Sequence, residues 1–172
     1  MMHGIDISNW QSGTNIPFTS VDFVICKATE GTGFVDAYCD GWVQKAKANG
    51  LCWGFYHFAG SQGAVAEADW FIANCKGYFG EGVPVLDWEG AQSVEWANDF
   101  VRRVHGVTGV WPWIYARPEY FNQGGVEANC ARWVAEWPNV TSPTFDMAQT
   151  WLPSETDGNV VAWQFCSDGY VA

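Results

Sequence analysis

Short apolar runs alternate with longer amphipathic stretches along the chain. Eight runs rich in Val, Ile, Phe and Trp predict β-strands at residues 4–7, 23–28, 52–58, 83–89, 111–116, 133–137, 145–151 and 160–165. Three stretches carry apolar side chains at intervals of three and four residues and predict helices at residues 36–49, 64–76 and 93–105. Gly50, Gly77 and Gly106 stand where these helices can end.

The order of these elements predicts the fold class. Strands that alternate with helices indicate a parallel sheet, and eight strands favour closure as a barrel over an open sheet. After residue 116 the connections become short and rich in Pro, Asn, Ser and Gly. We therefore expect an α/β fold, an irregular TIM-like (β/α) barrel whose helices are reduced or missing after the fifth strand. A chain of 172 residues suits one such domain, spanning 1–172.

Composition and charge exclude several classes of partner. The formal net charge is -11 and Lys and Arg form no run, so binding to nucleic acid is not expected. No uncharged apolar run approaches the ~20 residues that cross a bilayer. The six cysteines lack zinc-site spacing, so we expect neither a metal nor another cofactor. The opening MMHGIDISNWQ shows no signal peptide.

Polar residues stand at or near the ends of nearly all the predicted strands. They are Asp6, Lys27, His57, Asp87 with Glu89, Tyr115, Glu136, Gln149 and Gln164. In a barrel the carboxyl ends of the strands meet at one mouth, where active sites lie. Side chains alternate along a strand, so Asp87 and Glu89 face the same way, with Cα atoms roughly 6.5 to 7 Å apart.

Two carboxyl groups in one cavity can divide the work of glycosidic cleavage. A shared low-dielectric site separates their affinities for protons, so that one is protonated while its neighbour is ionised. We assign Glu89 as the acid that protonates the leaving oxygen, and Asp87 as the negative partner. Asp6, between Ile5 and Ile7, should point into the barrel as a third acid, or be a buried structural carboxylate satisfied by backbone donors or by Lys27.

Other polar residues leave alternatives open. An isolated Asp-x-Glu at a strand end is often a solvated terminus or a helix cap, and only the surrounding residues favour a site. Lys27 and Glu30 form either a salt bridge or a ligand contact. His57 has no Ser or Cys nucleophile to serve, so a hydrogen bond with Tyr56 is favoured over a role as general base.

Seven segments of the sequence resemble glycoside hydrolase family 25, the Chalaropsis-type lysozymes of bacteria, fungi and many phages. They are GIDISNWQ, FVICKATEGTGFVD, GLCWGFYHFAG, PVLDWEG, PWIYARPEYF, RWVAEW and VVAWQFCSDG. The resemblance implies N-acetylmuramidase activity on peptidoglycan glycan strands. We expect the chain to be a monomer. It implies that Glu89 is the acid, that Asp87 steadies the substrate acetamido group, and that Asp6 is a third acid of the cleft. It places Tyr56 and Gln164 in the cleft, and we add His57, Lys27, Glu30, Trp88, Tyr115 and Glu136 as substrate-binding residues.

The sequence departs from the family at its end. The family continues through a Gly-rich turn to a final strand with a fourth acid, whereas this chain stops at SDGYVA. That predicts a truncated chain or, less favoured, a substitute such as Asp157 or Asp168. The resemblance further suggests a phage endolysin that accumulates in the host cytoplasm before it attacks the wall. The alternatives are a non-catalytic glycan-binding module and a hydrolase of another amino-sugar polymer such as chitin.

Overall fold

The chain folds into a curled β-sheet with helices packed on its outer face. The computed structural model describes residues 1–141, 143–149, 153–154 and 158–167. The strands are β1 Gly4–Ile7, β2 Phe23–Glu30, β3 Phe34–Val35, β4 Cys52–Phe58, β5 Val83–Asp87, β6 Trp113–Ala116, β7 Arg132–Ala135 and β8 Val160–Gln164. The helices are α1 Cys39–Ala48, α2 Ala64–Cys75, α3 Val94–Thr108, α4 Pro118–Phe121 and α5 Phe145–Ala148.

The strand order confirms the predicted α/β fold. Seven strands pair in parallel in the order β1-β2-β4-β5-β6-β7-β8, and the two-residue β3 adds to β2 in the antiparallel sense. The sheet is a half-barrel of the irregular TIM-like type, and in the described part of the chain β1 and β8 are its two edges. The predicted loss of helices after the fifth parallel strand is also confirmed, because α4 and α5 have four residues each.

Alternation along the strands divides the buried side chains into two layers. One set, including Val24, Phe55 and Leu86, packs outward against α1, α2 and α3. The other set faces the inside of the curl and includes Ile25, Val85 and Trp133. Parallel strands covered on both faces read as nearly continuous apolar runs, which is why the sequence pattern located them.

The longest helix begins and ends at recognisable caps. The Ser93 side chain accepts a hydrogen bond from the Trp96 backbone N–H at 3.2 Å, and α3 starts there. Gly109 ends it with a left-handed φ of 74° and an N–H bonded to the His105 carbonyl. The predicted end at Gly106 is wrong, because α3 runs through that glycine to Thr108.

One predicted strand is a helical turn. Residues 145–148 form α5, since the Thr144 side chain accepts a hydrogen bond from the Met147 N–H at 3.3 Å. The strand predicted over 145–151 is therefore wrong, and its positions 150–151 lie outside the described residues. Asp157 and Asp168 lie outside them too. No helix among the described residues is long and apolar enough to cross a membrane.

Candidate active site

A cavity of about 210 Å³ opens at the carboxyl ends of the strands. It is lined by Asp6, Ser8, Trp10, Lys27, Tyr56, Phe58, Asp87, Glu89, Tyr115, Trp133 and Gln164. The three predicted catalytic acids are therefore together, as the convergence of parallel strand ends requires. Lys27, Tyr56, Tyr115 and Gln164 also lie where the sequence placed them.

A second cavity, of about 320 Å³, lies between β1 and residues 163–167. Its lining is mainly apolar, with Ile5, Phe23 and Trp163 among its residues. It shares Asp6, Trp133 and Gln164 with the first cavity. Asp6 is the one carboxyl among its lining residues. The smaller cavity is the better candidate for chemistry, because it holds three acids instead of one.

Asp87 ends β5 at the floor of the cavity, with 8% of its surface exposed. Burial and the neighbouring Glu89 carboxyl, to which Asp87 is hydrogen-bonded, raise the pKa of Asp87 well above its usual range. Its Oδ1 is buried and accepts no hydrogen bond from any residue that the structure describes. An unsatisfied buried carboxylate oxygen is costly, so this atom is available to a donor from a ligand.

Glu89 lies two residues further on, with an exposed side chain at the rim. Its backbone is held more firmly than its exposure suggests. The Tyr120 hydroxyl donates to the carbonyl oxygens of Glu89 at 2.9 Å and Gly90 at 3.0 Å. The Trp88 indole N–H donates to the Gln92 carbonyl at 3.0 Å and fixes the far side of the same turn. The carboxyl group that can reach a substrate is thus carried on a fixed backbone.

Asp6 is positioned by the side-chain amide of Gln164, and the other hydrogen bonds of that amide fix its orientation. The Gln164 Oε1 accepts hydrogen bonds from the Tyr115 hydroxyl at 2.7 Å and the Trp137 indole N–H at 3.0 Å. The Gln164 Nε2 therefore faces Asp6 and donates to its Oδ2 at 2.9 Å. Burial raises the pKa of Asp6, and the Gln164 hydrogen bond opposes part of that rise.

Lys27 brings one positive charge into the cavity. Its Nζ lies 2.6 Å from Glu30 Oε2 and 4.9 Å from the centre of the Phe58 ring. Lys27 forms the predicted salt bridge, and because it also lines the cavity a ligand contact stays a prediction. Its charge lowers the pKa of Asp87 against the larger effects of burial and Glu89. Glu30 is not among the residues that line the cavity, and it contacts Lys27, which is one of them.

Comparison with known sequences identifies the family. The sequence model of Glycosyl hydrolases family 25 matches residues 5–172, nearly the whole chain. The chain belongs to glycosyl hydrolase family 25.

Relatives of this family 25 chain come from fungi and bacteria. An N,O-diacetylmuramidase from Chalaropsis sp is 33% identical over 144 residues, which cover 70% of this chain and 68% of that protein. Lysozyme M1 from Streptomyces globisporus is 31% identical over 196 aligned positions, 99% of this chain and 63% of the relative. The crystal structure of a Streptomyces coelicolor lysozyme superposes with a TM-score of 0.78 at 30% identity and covers 99% of this chain and 86% of its own. A phage endolysin catalytic domain, ply40, shares the fold at TM-score 0.77 and 24% identity.

Two residues predicted to bind substrate in this family 25 chain point away from the cavity. His57 is 0% exposed on the helical side of the sheet, where its ring shares hydrogen bonds with Thr29 Oγ1 at 2.8 Å and Glu67 Oε2 at 3.0 Å. Its predicted hydrogen bond with Tyr56 is wrong, because neighbours in a strand face opposite sides. Trp88 is fully buried by the same alternation. We therefore remove both from the substrate-binding set.

Glu136 is also separated from the cavity of this family 25 domain. Its carboxylate accepts hydrogen bonds from the backbone N–H and the hydroxyl of Ser154, at 2.5 and 2.6 Å. It is absent from the residues that line the cavity. The structure thus assigns Glu136 to holding the segment at Ser154, and the predicted substrate contact is replaced by this one.

Four cavity residues were missed from the sequence: Ser8, Trp10, Phe58 and Trp133. Ser8 and Trp10 directly follow the first strand, so their position just past a strand end was an available signal. No group of three or more His, Cys, Asp and Glu that could hold a metal occurs within the described part of this family 25 chain.

Proposed function

We propose that this chain is a peptidoglycan hydrolase, an N-acetylmuramidase that cleaves the β-1,4 bond between N-acetylmuramic acid and N-acetylglucosamine. Its relatives named N,O-diacetylmuramidase and lysozyme support this assignment. The observation that carries it is the pair of carboxyl groups at the end of β5, where the buried Oδ1 of Asp87 has no partner among the described residues. The acetamido N–H of an amino sugar is a donor suited to that oxygen.

Cleavage begins at the rim of the cavity, where Glu89 lies. Glu89 donates its proton to the glycosidic oxygen, and the bond between that oxygen and C1 of N-acetylmuramic acid breaks. The acetamido oxygen of the same sugar attacks C1 as the bond breaks, and a cyclic oxazolinium forms. Asp87 accepts the acetamido N–H and balances the positive charge that develops on the ring. No enzyme carboxylate has to attack the sugar.

A water molecule completes the reaction. Glu89, now ionised, takes one proton from this water while the oxygen attacks C1 and reopens the oxazolinium. Glu89 is protonated again, and the product carries a reducing-end N-acetylmuramic acid. Two displacements at C1 retain the configuration, so we propose a retaining outcome.

Substrate binding also sets the place of the proton. The raised pKa of Asp87 favours a proton on Asp87, in its hydrogen bond with Glu89, at a pH at which an isolated carboxyl group is ionised. A hydrogen bond from the acetamido N–H favours the ionised form of Asp87. The shared proton then moves to Glu89, so the acid is ready when an amino sugar is in place.

The test is mass spectrometry of the soluble fragments released from purified peptidoglycan. The parent chain should release fragments with reducing-end N-acetylmuramic acid, and Glu89→Gln should release none while it still binds the glycan. Glu95→Gln is the matched control, because Glu95 lies in the exposed first turn of α3, away from the cavity. Release of the fragments by Glu89→Gln would refute its role as the acid.

Parallel digests separate the alternatives. Chitin fragments from the parent chain, without peptidoglycan fragments, would indicate a hydrolase of another amino-sugar polymer. Binding of peptidoglycan without cleavage by the parent chain would indicate a glycan-binding module. Either result overturns the muramidase proposal.

We propose that the enzyme acts on the bacterial wall as an endolysin and resides in the host cytoplasm before lysis. The shared fold with an endolysin domain supports this setting. We also propose that it acts as a monomer, since a single chain supplies every lining residue of the cavity. Sedimentation of the free chain at working concentration tests the oligomeric state.

A further inference from the structure

Trp10 is the most exposed tryptophan of the described chain, and it stands at the active cavity. It belongs to the turn Asn9–Gln11 that follows β1, and 84% of its surface is exposed. We propose that the Trp10 indole is a stacking platform for a pyranose ring of the glycan, next to the ring at which Glu89 acts. This inference rests on the proposed function, and it adds a binding subsite to the acids.

The turn that carries Trp10 is rigid. Ser8 and Gln11 form a reciprocal cap, in which the Trp10 N–H donates to the Ser8 hydroxyl and the Ser8 N–H donates to Gln11 Oε1 at 2.9 Å. The Asn9 N–H donates to Asp36 Oδ2 at 2.7 Å. The chain therefore holds the backbone of an unburied indole in one place, which lowers the conformational entropy lost when a ligand stacks on it.

Charge and shape select the kind of ligand. The cavity beside Trp10 holds three carboxyl groups and one lysine, so an anionic ligand is disfavoured close to the ring. The face of an indole is electron-rich and attracts the weakly positive C–H groups of an apolar sugar face. A pyranose ring offers such a face together with hydroxyl groups for the neighbouring polar side chains.

Trp137 is also exposed, but its position has a different explanation from that of Trp10. It is 53% exposed, and its N–H is engaged by Gln164. Its position is explained by its role in orienting the amide beside Asp6. The Trp10 indole, in contrast, is an exposed apolar surface placed on the rim of a cavity, and substrate contact explains that placement.

Binding in the Glu89→Gln background tests the subsite without turnover. Affinity for a soluble peptidoglycan glycan of four to six sugars is measured by calorimetry for this background and with Trp10→Ala, Trp10→Phe or Tyr38→Ala added. Trp10→Ala should weaken binding by roughly 3- to 10-fold, the worth of one aromatic contact. Trp10→Phe should recover most of the loss. Tyr38→Ala is the control, since Tyr38 is an exposed aromatic residue outside the cavity and should leave the affinity unchanged.

Kinetics of the active chain provide the second measurement. Trp10→Ala should raise KM for peptidoglycan with a smaller effect on kcat, because the indole binds a sugar ring and takes no part in breaking the glycosidic bond. Equal affinities for Trp10→Ala and the background would overturn the subsite and leave the muramidase proposal standing. Absence of glycan binding and of cleavage by the parent chain would overturn both.

Discussion

Replacing Glu67 with Gln tests whether one buried carboxylate holds the loops beside the cavity. Glu67 lies in α2 and is 0% exposed. It accepts three hydrogen bonds, from the Gly60 N–H at 2.7 Å, the Gln62 N–H at 2.8 Å and the His57 ring at 3.0 Å. The loop that contains Gly60 is also held by the Gln92 side chain, which belongs to the turn after Glu89. Glu67 is thus linked, through the Gly60 loop and Gln92, to the turn that follows the proposed acid.

The expected cost follows from these three contacts. A Gln side chain keeps one acceptor oxygen and replaces the other with an NH₂ group. That NH₂ group must face either the Gln62 N–H or the pair of donors formed by the Gly60 N–H and the His57 ring. One buried donor is left unsatisfied and the remaining bonds lose their charge, which together cost about 2 to 4 kcal/mol of unfolding free energy. Urea unfolding at pH 7, followed by tryptophan fluorescence, measures the loss. Asp69→Asn is the control, because Asp69 lies in the same helix in an exposed pair with Arg103.

The pH dependence of the stability lost in Glu67→Gln is a second test. Burial alone raises the pKa of Glu67, but the hydrogen bonds from His57 and the backbone outweigh it and lower that pKa below its usual value. A lowered pKa in the folded state stabilises the protein above the pKa of the unfolded chain, and the benefit is lost as the pH falls through the folded pKa. The difference between the parent chain and Glu67→Gln should therefore shrink in acid. A cost below about 1 kcal/mol at pH 7, or one independent of pH, would refute the reasoning.

Three further substitutions test the cavity and the sheet. Tyr120→Phe removes the hydroxyl that fixes the Glu89 backbone and should lower kcat about 10-fold with little change in KM. Lys27→Met removes a charge that lowers the pKa of Asp87, so that pKa should rise and the acidic limb of the profile of kcat/KM against pH should move to higher pH. Gly4→Ala places a Cβ 2.4 Å from an aromatic ring of β2 and should lower Tm by an amount equivalent to about 1 to 3 kcal/mol.

Tyr120→Phe and Gly4→Ala have matched control variants. Tyr78→Phe also removes one hydroxyl, which donates to Asp40 away from the cavity, and it should leave kcat unchanged. An unshifted profile for Lys27→Met would contradict the assigned influence on Asp87. Gly41→Ala adds a methyl group that meets no atom within 4 Å beyond its chain neighbours and its own helix backbone, and it should not lower Tm. Equal Tm values for Gly4→Ala and the parent chain would contradict the predicted clash.

The sequence predicted the site wherever strand geometry alone decides a position. Asp87 and Glu89 are two residues apart at a strand end, and Asp6 follows the same rule on β1, so all three reach the cavity. The same alternation, applied to their neighbours, would have excluded Trp88 and His57 as cavity residues. Trp88 and His57 were assigned to the cavity by residue type, without asking which face of the sheet each side chain lies on.

Contacts between distant segments were beyond sequence reasoning. Glu67 and His57 pair across a loop and a helix, and nothing in their local pattern marks either residue for the other. Glu136 was assigned to the substrate from its strand end, but the structure brings Ser154 to it. The helical turn after Thr144 was different, because a Thr before a short apolar run is a known cap and could have been recognised.

The last contact of the site joins the two edges of the sheet. Asp6 on β1 and Gln164 on β8 are 158 residues apart in sequence, and their hydrogen bond links strands that do not pair within the described part of the chain. Among the described residues β8 pairs as a strand only with β7, so its local opening needs less free energy than global unfolding. Activity in rising urea should therefore fall before the tryptophan fluorescence of the core changes. Coincident loss of both signals would show that β8 and the rest of the sheet unfold as one unit, and that Asp6 is oriented throughout the folded state.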